Sequence, residues 1–370
     1  MILKLHKVDW WLVSAVLALS VISLATISGF SSGLFFRQLL WLGISLLVFF
    51  AVVRFDISFV KQSRSVLYAY GFGIVLLLLV LFLGTTVNGA KSWIDFGGFS
   101  FQPADFVKLV LVIVLAKYLD RRHVQIKAPK HIFITGLYFL LPFALIFLQP
   151  DFGSAMILFA IWFGMILVAG ISRKHLLLLF VLGFAAFMVM WTFVFKEYQK
   201  DRLRTFMDPL SDIQGAGYNA FQSVIAVGSG QLLGKGVGYG TQSRLNFLPE
   251  HETDFIFAAV SEEWGFVGSI IVLLLFIIII SRILIIAAGM QGNFELLFAV
   301  GLAIYFLAHI VINIGMNIGV MPVTGVPLPF MSYGGSHILI EFLSLGILIS
   351  LRNRQSSALL TKESPEIFLR

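Results

Sequence analysis

The sequence predicts an all-α polytopic membrane protein with about ten transmembrane helices, a large extracytoplasmic loop between helices seven and eight, and both termini in the cytoplasm. Three observations carry that expectation. The 370 residues are 59% hydrophobic and only 12% charged, with a mean hydropathy of +0.96; a water-soluble domain carries about twice that charged fraction. Apolar runs of spanning length, roughly 17–25 residues, recur from end to end. Lys and Arg are shared unevenly between alternate connecting segments.

The spans fall at about 8–28, 34–53, 65–84, 102–119, 131–149, 152–170, 175–195, 255–287, 294–317 and 336–351. With the N-terminus inside, 17 of the 26 Lys and Arg residues are cytoplasmic, eight are outside, and Lys108 lies within a span. Six of the outer eight sit in one long loop, which weighs little in the positive-inside rule. The first run follows Lys4 and Lys7 as a signal peptide would. It is long, however, and residues 28–32 offer no Ala-x-Ala-like cleavage site, so the first helix is expected to stay. Residues 1–354 read as one membrane domain that includes the outer loop 196–254. Residues 355–370 read as a short, polar, mobile tail.

The net charge of +7 does not point to nucleic acid, because flanking basic residues are expected of topology and no basic, aromatic-interleaved patch occurs. The absence of cysteine excludes disulfides, thiolate metal sites and cysteine nucleophiles. The seven histidines are scattered without metal-ligand spacing. No cofactor is firmly implied; a carboxylate-held Mg²⁺ or Mn²⁺ fits only where a phosphate supplies further ligands.

Polar motifs open the even-numbered spans. Span four begins Gln102-Pro103-Ala104-Asp105 and continues to Lys108. Asp105 and Lys108 share a helix face and make either a structural ion pair or a polar site on an outward cavity, with Lys108 available to an anion. Span six begins Gln149-Pro150-Asp151, where Asp151 suits an N-cap and a functional role equally. Span eight is led by Glu250-His251-Glu252-Thr253-Asp254. Three carboxylates in five residues raise at least one pKa by repulsion, while the helix N-terminus pulls the other way. A carboxylate so poised is a general-base candidate, although capping alone is the competing account. Glu262 and Glu263, two turns deeper, read as structural or cavity-lining.

The segment from Asn317 to Ser336 has three prolines and four glycines and cannot span. Non-helical backbone at membrane depth must be buried in protein or line water, so a re-entrant or cavity-lining loop is expected. Its N–H groups and hydroxyls, including Ser332 and Ser336, can meet an anion. The outer stretch from Lys196 to Asp254 is nearly charge-balanced and carries six glycines within Gly228–Gly240; it is expected to form an ordered cap. Because even-numbered spans run from outside to inside, their positive dipole ends point outward. A lipid phosphate in the outer leaflet would meet several of them at once.

Taken in order, the segments 88–94 (NGAKSWI), QPADFVK, QPDFGSA, GVGYGTQ, FLPEHETDFIFAAVSEEWGFVG and MPVTGVPLPFMSYGGS resemble the SEDS family (shape, elongation, division and sporulation), the RodA, FtsW and SpoVE membrane proteins of bacteria. Val323-Thr324 and the short tails resemble the RodA branch. The resemblance implies a peptidoglycan glycosyltransferase that polymerises lipid II at the outer face of the bacterial cytoplasmic membrane for elongation and rod shape, working with a class B penicillin-binding protein. It places the essential acidic residue at Asp254, the charged pair at Asp105 and Lys108, and the QPD aspartate at Asp151. Asp254 would take the acceptor hydroxyl proton. Gln102, Asp105, Lys108, Asp151, Arg202, Arg204, Ser332 and Ser336 would bind substrate, the basic residues offsetting pyrophosphate charge. Three positions depart from the family's habit: aspartate for glutamate at 105, Glu252 with a histidine one place earlier at His251, and His337 where a small residue is commoner. Glu252 adds negative charge beside Asp254. A lipid II flippase, a division-type polymerase and a scaffold for the penicillin-binding protein are the rival readings. A transporter should show internal repeats, and none is found.

Overall fold

A computed structural model describes residues 8–55, 57–87, 90–95, 97, 100–120, 129–195, 197–208, 217–245 and 247–363. Lys4, Lys7, Asn88, Gly89, Arg121, Arg122, Lys127, Lys196 and residues 364–370, all used in the sequence argument, lie outside the described residues.

Ten helices make the bundle: α1 (Trp10–Phe30), α2 (Ser32–Arg54), α3 (Ser63–Leu83), α4 (Pro103–Asp120), α5 (Pro129–Leu148), α6 (Phe152–Ala169), α7 (Arg173–Val189, continued by a π turn to Val194), α11 (Ile256–Ala288), α12 (Asn293–Asn317) and α13 (Gly335–Glu363). Among the described residues, nine of these are long and apolar enough to cross a membrane. The tenth, α4, carries Asp105, Lys108, Lys117 and Asp120, yet it is buried along most of its length among α3, α5, α6, α12 and α13. The apolar runs therefore fold as expected, because a helix is the way an apolar segment satisfies its own backbone in lipid. One difference is at the end: α13 continues through the polar residues after Arg354 to Glu363.

The described residues of the two long outer segments include regular structure. Residues 85–101 form a three-stranded antiparallel sheet of β1 (Thr85–Val87), β2 (Ala90–Asp95) and β3 (Ser100–Phe101). Its Lys91 N–H donates to Gln149 O at 3.2 Å. The long loop carries α8 (Glu197–Met207), α9 (Tyr218–Ser229) and the short α10 (Thr241–Arg244). Helix α9 packs on α11 and α12, and Ser223 Oγ donates to the last carbonyl of α12, Asn317 O, at 2.9 Å.

Helix α11 is broken at Gly265, which has φ +68° and ψ −164°. The glycine-rich turn after α9 lies along that break. Phe266 N–H donates to Gln231 O and Val267 N–H to Leu232 O, while Lys235 and Gly236 donate to Glu262 O and Glu263 O. A Cβ on Gly265 would stand 2.3 Å from Gly234 N, and one on Gly234 would stand 2.1 Å from Glu263 O. Glycine is thus required on both sides of the zipper. The buried Glu262 carboxylate completes it, accepting from Lys235 Nζ, the Gln242 and Ser243 N–H groups and Ser243 Oγ at 2.8–3.2 Å.

At the opposite end of the bundle, Asp9 caps α1 and gathers two other helices. Its carboxylate accepts from Leu12 N at 3.1 Å, from Arg282 of α11 at 2.6 and 3.1 Å, and from Arg352 of α13 at 3.2 Å. Burial alone would raise its pKa, but the Arg282 hydrogen bond, the Leu12 N–H and both guanidinium charges outweigh burial and lower it.

Candidate functional site

Residues 318–334 cross the end of the bundle as irregular backbone and dip into it. Phe330 O accepts from Ser20 Oγ at 3.3 Å. Ser20 is at the middle of α1, about 15 Å from either end at 1.5 Å per residue, so the loop is re-entrant, as its prolines and glycines predict. Several polar hooks on it come from spans. Ser23 Oγ donates to Met331 O, and Gln38 of α2 donates to Ser332 O at 3.2 Å while accepting from Gly334 N at 3.3 Å. His309 Nδ1 donates to Pro327 O at 3.1 Å and Asn313 Nδ2 to Val326 O at 2.8 Å. Glu341 Oε2 accepts from Phe330 N at 2.9 Å. Phe330 itself has φ +61°, an uncommon geometry for an aromatic residue that these contacts hold in place.

Asp254 stands in the turn that opens α11, half-buried beside this loop. Its carbonyl accepts from Asn313 Nδ2 at 2.8 Å and Asn317 Nδ2 at 3.1 Å. Its carboxylate faces Gly325: a Cβ there would stand 3.4 Å from Asp254 Oδ2. The preceding residues are tied to the same loop, since Ser332 Oγ donates to Thr253 O at 2.6 Å and Tyr333 N–H to Glu252 O at 2.8 Å. The neighbouring carboxylates have partners of their own. Glu250 accepts from Thr253 Oγ1 at 2.9 Å, and Glu252 lies 3.4 Å from His251 Nε2. The histidine one place early thus stands beside the carboxylate that Glu252 brings.

The other helix starts converge on the same loop. Asp151 caps α6 by accepting from Ser154 N at 2.9 Å, and its second oxygen accepts from Gln102 Nε2 at 3.0 Å. Gln102 N–H donates to Ser336 Oγ at 3.4 Å. At Gly153 any side chain would collide with Thr324 O, 2.6 Å from a Cβ. Thus the openings of α4, α6, α11 and α13 are brought together around residues 324–336, and Gln102, Asp151, Asp254, Ser332 and Ser336 fall in one place.

Three predicted binders, Asp105, Lys108 and Arg204, behave otherwise. Lys108 is not open to an anion here: only 1% of its side chain is exposed, and Nζ donates to Asp105 Oδ1 at 2.9 Å. Packing of α4 between α3, α12 and α13 leaves no face for it to present. Arg204 pairs within its own helix with Glu197 and Asp201 at 3.1 and 2.9 Å, and Glu197 is lowered in pKa by hydrogen bonds from Lys200 and then Arg204. The Arg202 side chain lies outside the described residues. Among the described residues no group of three or more His, Asp or Glu side chains is placed to hold a metal ion, so these residues do not fit a protein-held cation.

The Asp105–Lys108 pair extends further than its spacing suggests. His337 Nδ1 lies 3.4 Å from Asp105 Oδ2, and His337 Nε2 lies 2.8 Å from Glu341 Oε1, all four side chains being buried. Sequence reasoning noted His337 as a departure and missed Glu341, Asn313, Asn317, His309 and Gln38. The signal was present: Tyr305, His309, Asn313 and Asn317 recur every four residues in an apolar span, and His337 and Glu341 are likewise four apart, each set marking one helix face.

The family model described as "Cell cycle protein", covering FtsW, RodA and SpoVE, matches residues 5–357. The chain is 38% identical over 288 residues to peptidoglycan glycosyltransferase MrdB of Escherichia coli (strain K12), covering 78% of each chain. It is also 38% identical over 283 residues to the probable peptidoglycan glycosyltransferase FtsW of Haemophilus influenzae, covering 75% of this chain and 71% of that one. Among solved structures it is similar to a chain of a peptidoglycan synthase complex that coordinates polymerization and crosslinking, with a TM-score of 0.81, 30% identity, and coverage of 94% of this chain and 98% of that one.

Proposed function

This chain belongs to the FtsW, RodA and SpoVE family of cell-cycle proteins, and from that membership we propose that it is a peptidoglycan glycosyltransferase of the cytoplasmic membrane, polymerising lipid II on the outer face. The observation that carries the reading is the gathering of four helix starts and Asp254 around one re-entrant loop. Helix N-termini favour anions, and the leaving group of lipid II is a pyrophosphate. The chemistry divides as follows. The 4-hydroxyl of an acceptor GlcNAc attacks the anomeric carbon of a donor MurNAc. The C–O bond to the pyrophosphate breaks, and undecaprenyl pyrophosphate leaves with the bond's electron pair. Asp254 takes the hydroxyl proton, a contribution of about 10²–10⁴-fold.

Gln102 and Asp151 line the site and orient the sugar–pyrophosphate, while Ser332 and Ser336, each only 1% exposed, hold the loop and the start of α4 behind them. Asp105 and Lys108, both buried, act from behind the lining as a pair that fixes α4. Arg204 and Arg202 on α8 are the basic residues offered to the pyrophosphate, Arg204 by exchanging its exposed pairs with Glu197 and Asp201.

The partner is a class B penicillin-binding protein that crosslinks the new strand, a reading supported by likeness to a chain of a synthase complex. The chain serves elongation: Val323-Thr324 resembles the RodA branch, whereas overall identity to MrdB and FtsW is equal. The decisive measurement is polymerisation of labelled lipid II by purified protein in detergent, where a flippase has nothing to do and a scaffold makes no product. Polymer from the wild-type protein and none above about 1% of its rate from a folded Asp254→Asn variant are expected. Wild-type rate in that variant would sink the base assignment.

A further inference from the structure

We propose that Glu341 is a positioning residue for the transfer reaction, acting through the Phe330 turn on the segment that carries Asp254; the proposal rests on the polymerase reading above. The argument follows a continuous set of contacts. Glu341 Oε2 holds Phe330 N at 2.9 Å, at the residue whose φ is +61°. Two residues on, Ser332 Oγ donates to Thr253 O at 2.6 Å, and Tyr333 N–H donates to Glu252 O at 2.8 Å. The turn therefore grips the two residues before Asp254, and Glu341 grips the turn from below.

The other oxygen of Glu341 faces a residue of its own helix. It lies 2.8 Å from His337 Nε2, whose Nδ1 lies 3.4 Å from Asp105, which in turn accepts from Lys108. This chain of charges spans α4 and α13 and ends on loop backbone. It touches none of the residues placed at the reacting atoms, so its effect on chemistry is through geometry. A catalytic group displaced by about 1 Å loses about 10²-fold in rate.

The test separates an acceptor for Phe330 N–H from mere packing. Glu341→Leu keeps bulk and removes the acceptor; Glu341→Gln keeps the acceptor and removes the charge. In full-length protein with labelled lipid II, E341L is expected to lower kcat about tenfold or more with KM within about twofold. E341Q is expected to restore kcat to within about threefold of wild type, because a neutral acceptor still bonds the amide. Equal loss in both variants, or a wild-type kcat per folded molecule in E341L, overturns the proposal. If E341L does not fold, hydrogen exchange on the wild-type protein decides: the Phe330 amide must be protected like those of α13, and rapid exchange there overturns it. Failure of the polymerase reading is distinguishable, because then the wild-type protein itself makes no polymer.

Discussion

Removing Asn313 should cost both stability and rate, because its amide bridges the catalytic turn and the re-entrant loop. Nδ2 donates to Asp254 O and Val326 O, each at 2.8 Å. In Asn313→Ala, Val326 O loses this donor while buried, a penalty of about 1–3 kcal/mol. Asp254 O keeps Asn317 Nδ2 at 3.1 Å, so its loss is nearer the net worth of one hydrogen bond, about 1 kcal/mol. Together these come to about 2–4 kcal/mol. The turn that carries Asp254 would also lose one of its ties to this part of the bundle, keeping those through Thr253 and Glu252, and a misplacement of about 1 Å costs about 10²-fold in rate. Asn313→Asp is a sharper variant: it keeps the shape but sets an acceptor against two carbonyl oxygens, so it should lose at least as much activity as Asn313→Ala. Thermal unfolding in detergent and polymerisation per folded molecule read the two effects separately. An Asn313→Ala protein with wild-type melting and wild-type rate would refute the claim that this amide positions Asp254.

Two further outcomes follow from other parts of the fold. Gly265→Ala places a Cβ 2.3 Å from Gly234 N at a positive φ, so it should destabilise by at least about 2 kcal/mol and make the 228–240 turn cleavable in limited proteolysis. Asp9→Asn should lower stability at neutral pH by on the order of 1 kcal/mol, since Arg282 and Arg352 are partly exposed and screened. The Asp9 pKa is lowered by folding, so its stabilisation is full above the unfolded value of about 4 and lost as pH falls through the lower folded value. The melting difference between wild type and D9N should therefore be constant above about pH 5 and shrink below about pH 4.

How far the sequence foretold this depends on the kind of signal. Spans were legible because lipid forces long apolar runs into helices, and α4 was legible despite four charges because its Gln-Pro start and apolar remainder still read as a span. The cap function of Asp151 and the position of Asp254 at a helix start followed from local chemistry alone. The sheet at residues 85–101 and the zipper of Gly234 on Gly265 were not, because both depend on pairing between segments whose register no local pattern states. Lys108 was misjudged for the same reason. Its spacing from Asp105 was visible, but whether the pair faces water or α13 is set by which helix packs against α4, and His337 and Glu341 arrive from more than 200 residues away.

The re-entrant loop explains a set of residues that otherwise look out of place. Ser20, Ser23, Gln38, His309, Asn313 and Glu341 lie inside apolar helices, where a polar side chain is unfavourable unless it is paired. Each bonds a backbone group of residues 326–334. Irregular backbone below the membrane surface leaves N–H and C=O groups that a helix would have satisfied itself, and these side chains supply the missing partners. These six polar residues of α1, α2, α12 and α13 are therefore a consequence of the loop. The loop, in turn, is what lets Asp254 be held by its main chain while its carboxylate faces Gly325. A carboxylate fixed through its backbone can take up and release a proton without losing its place, which is what the role proposed for Asp254 as general base requires.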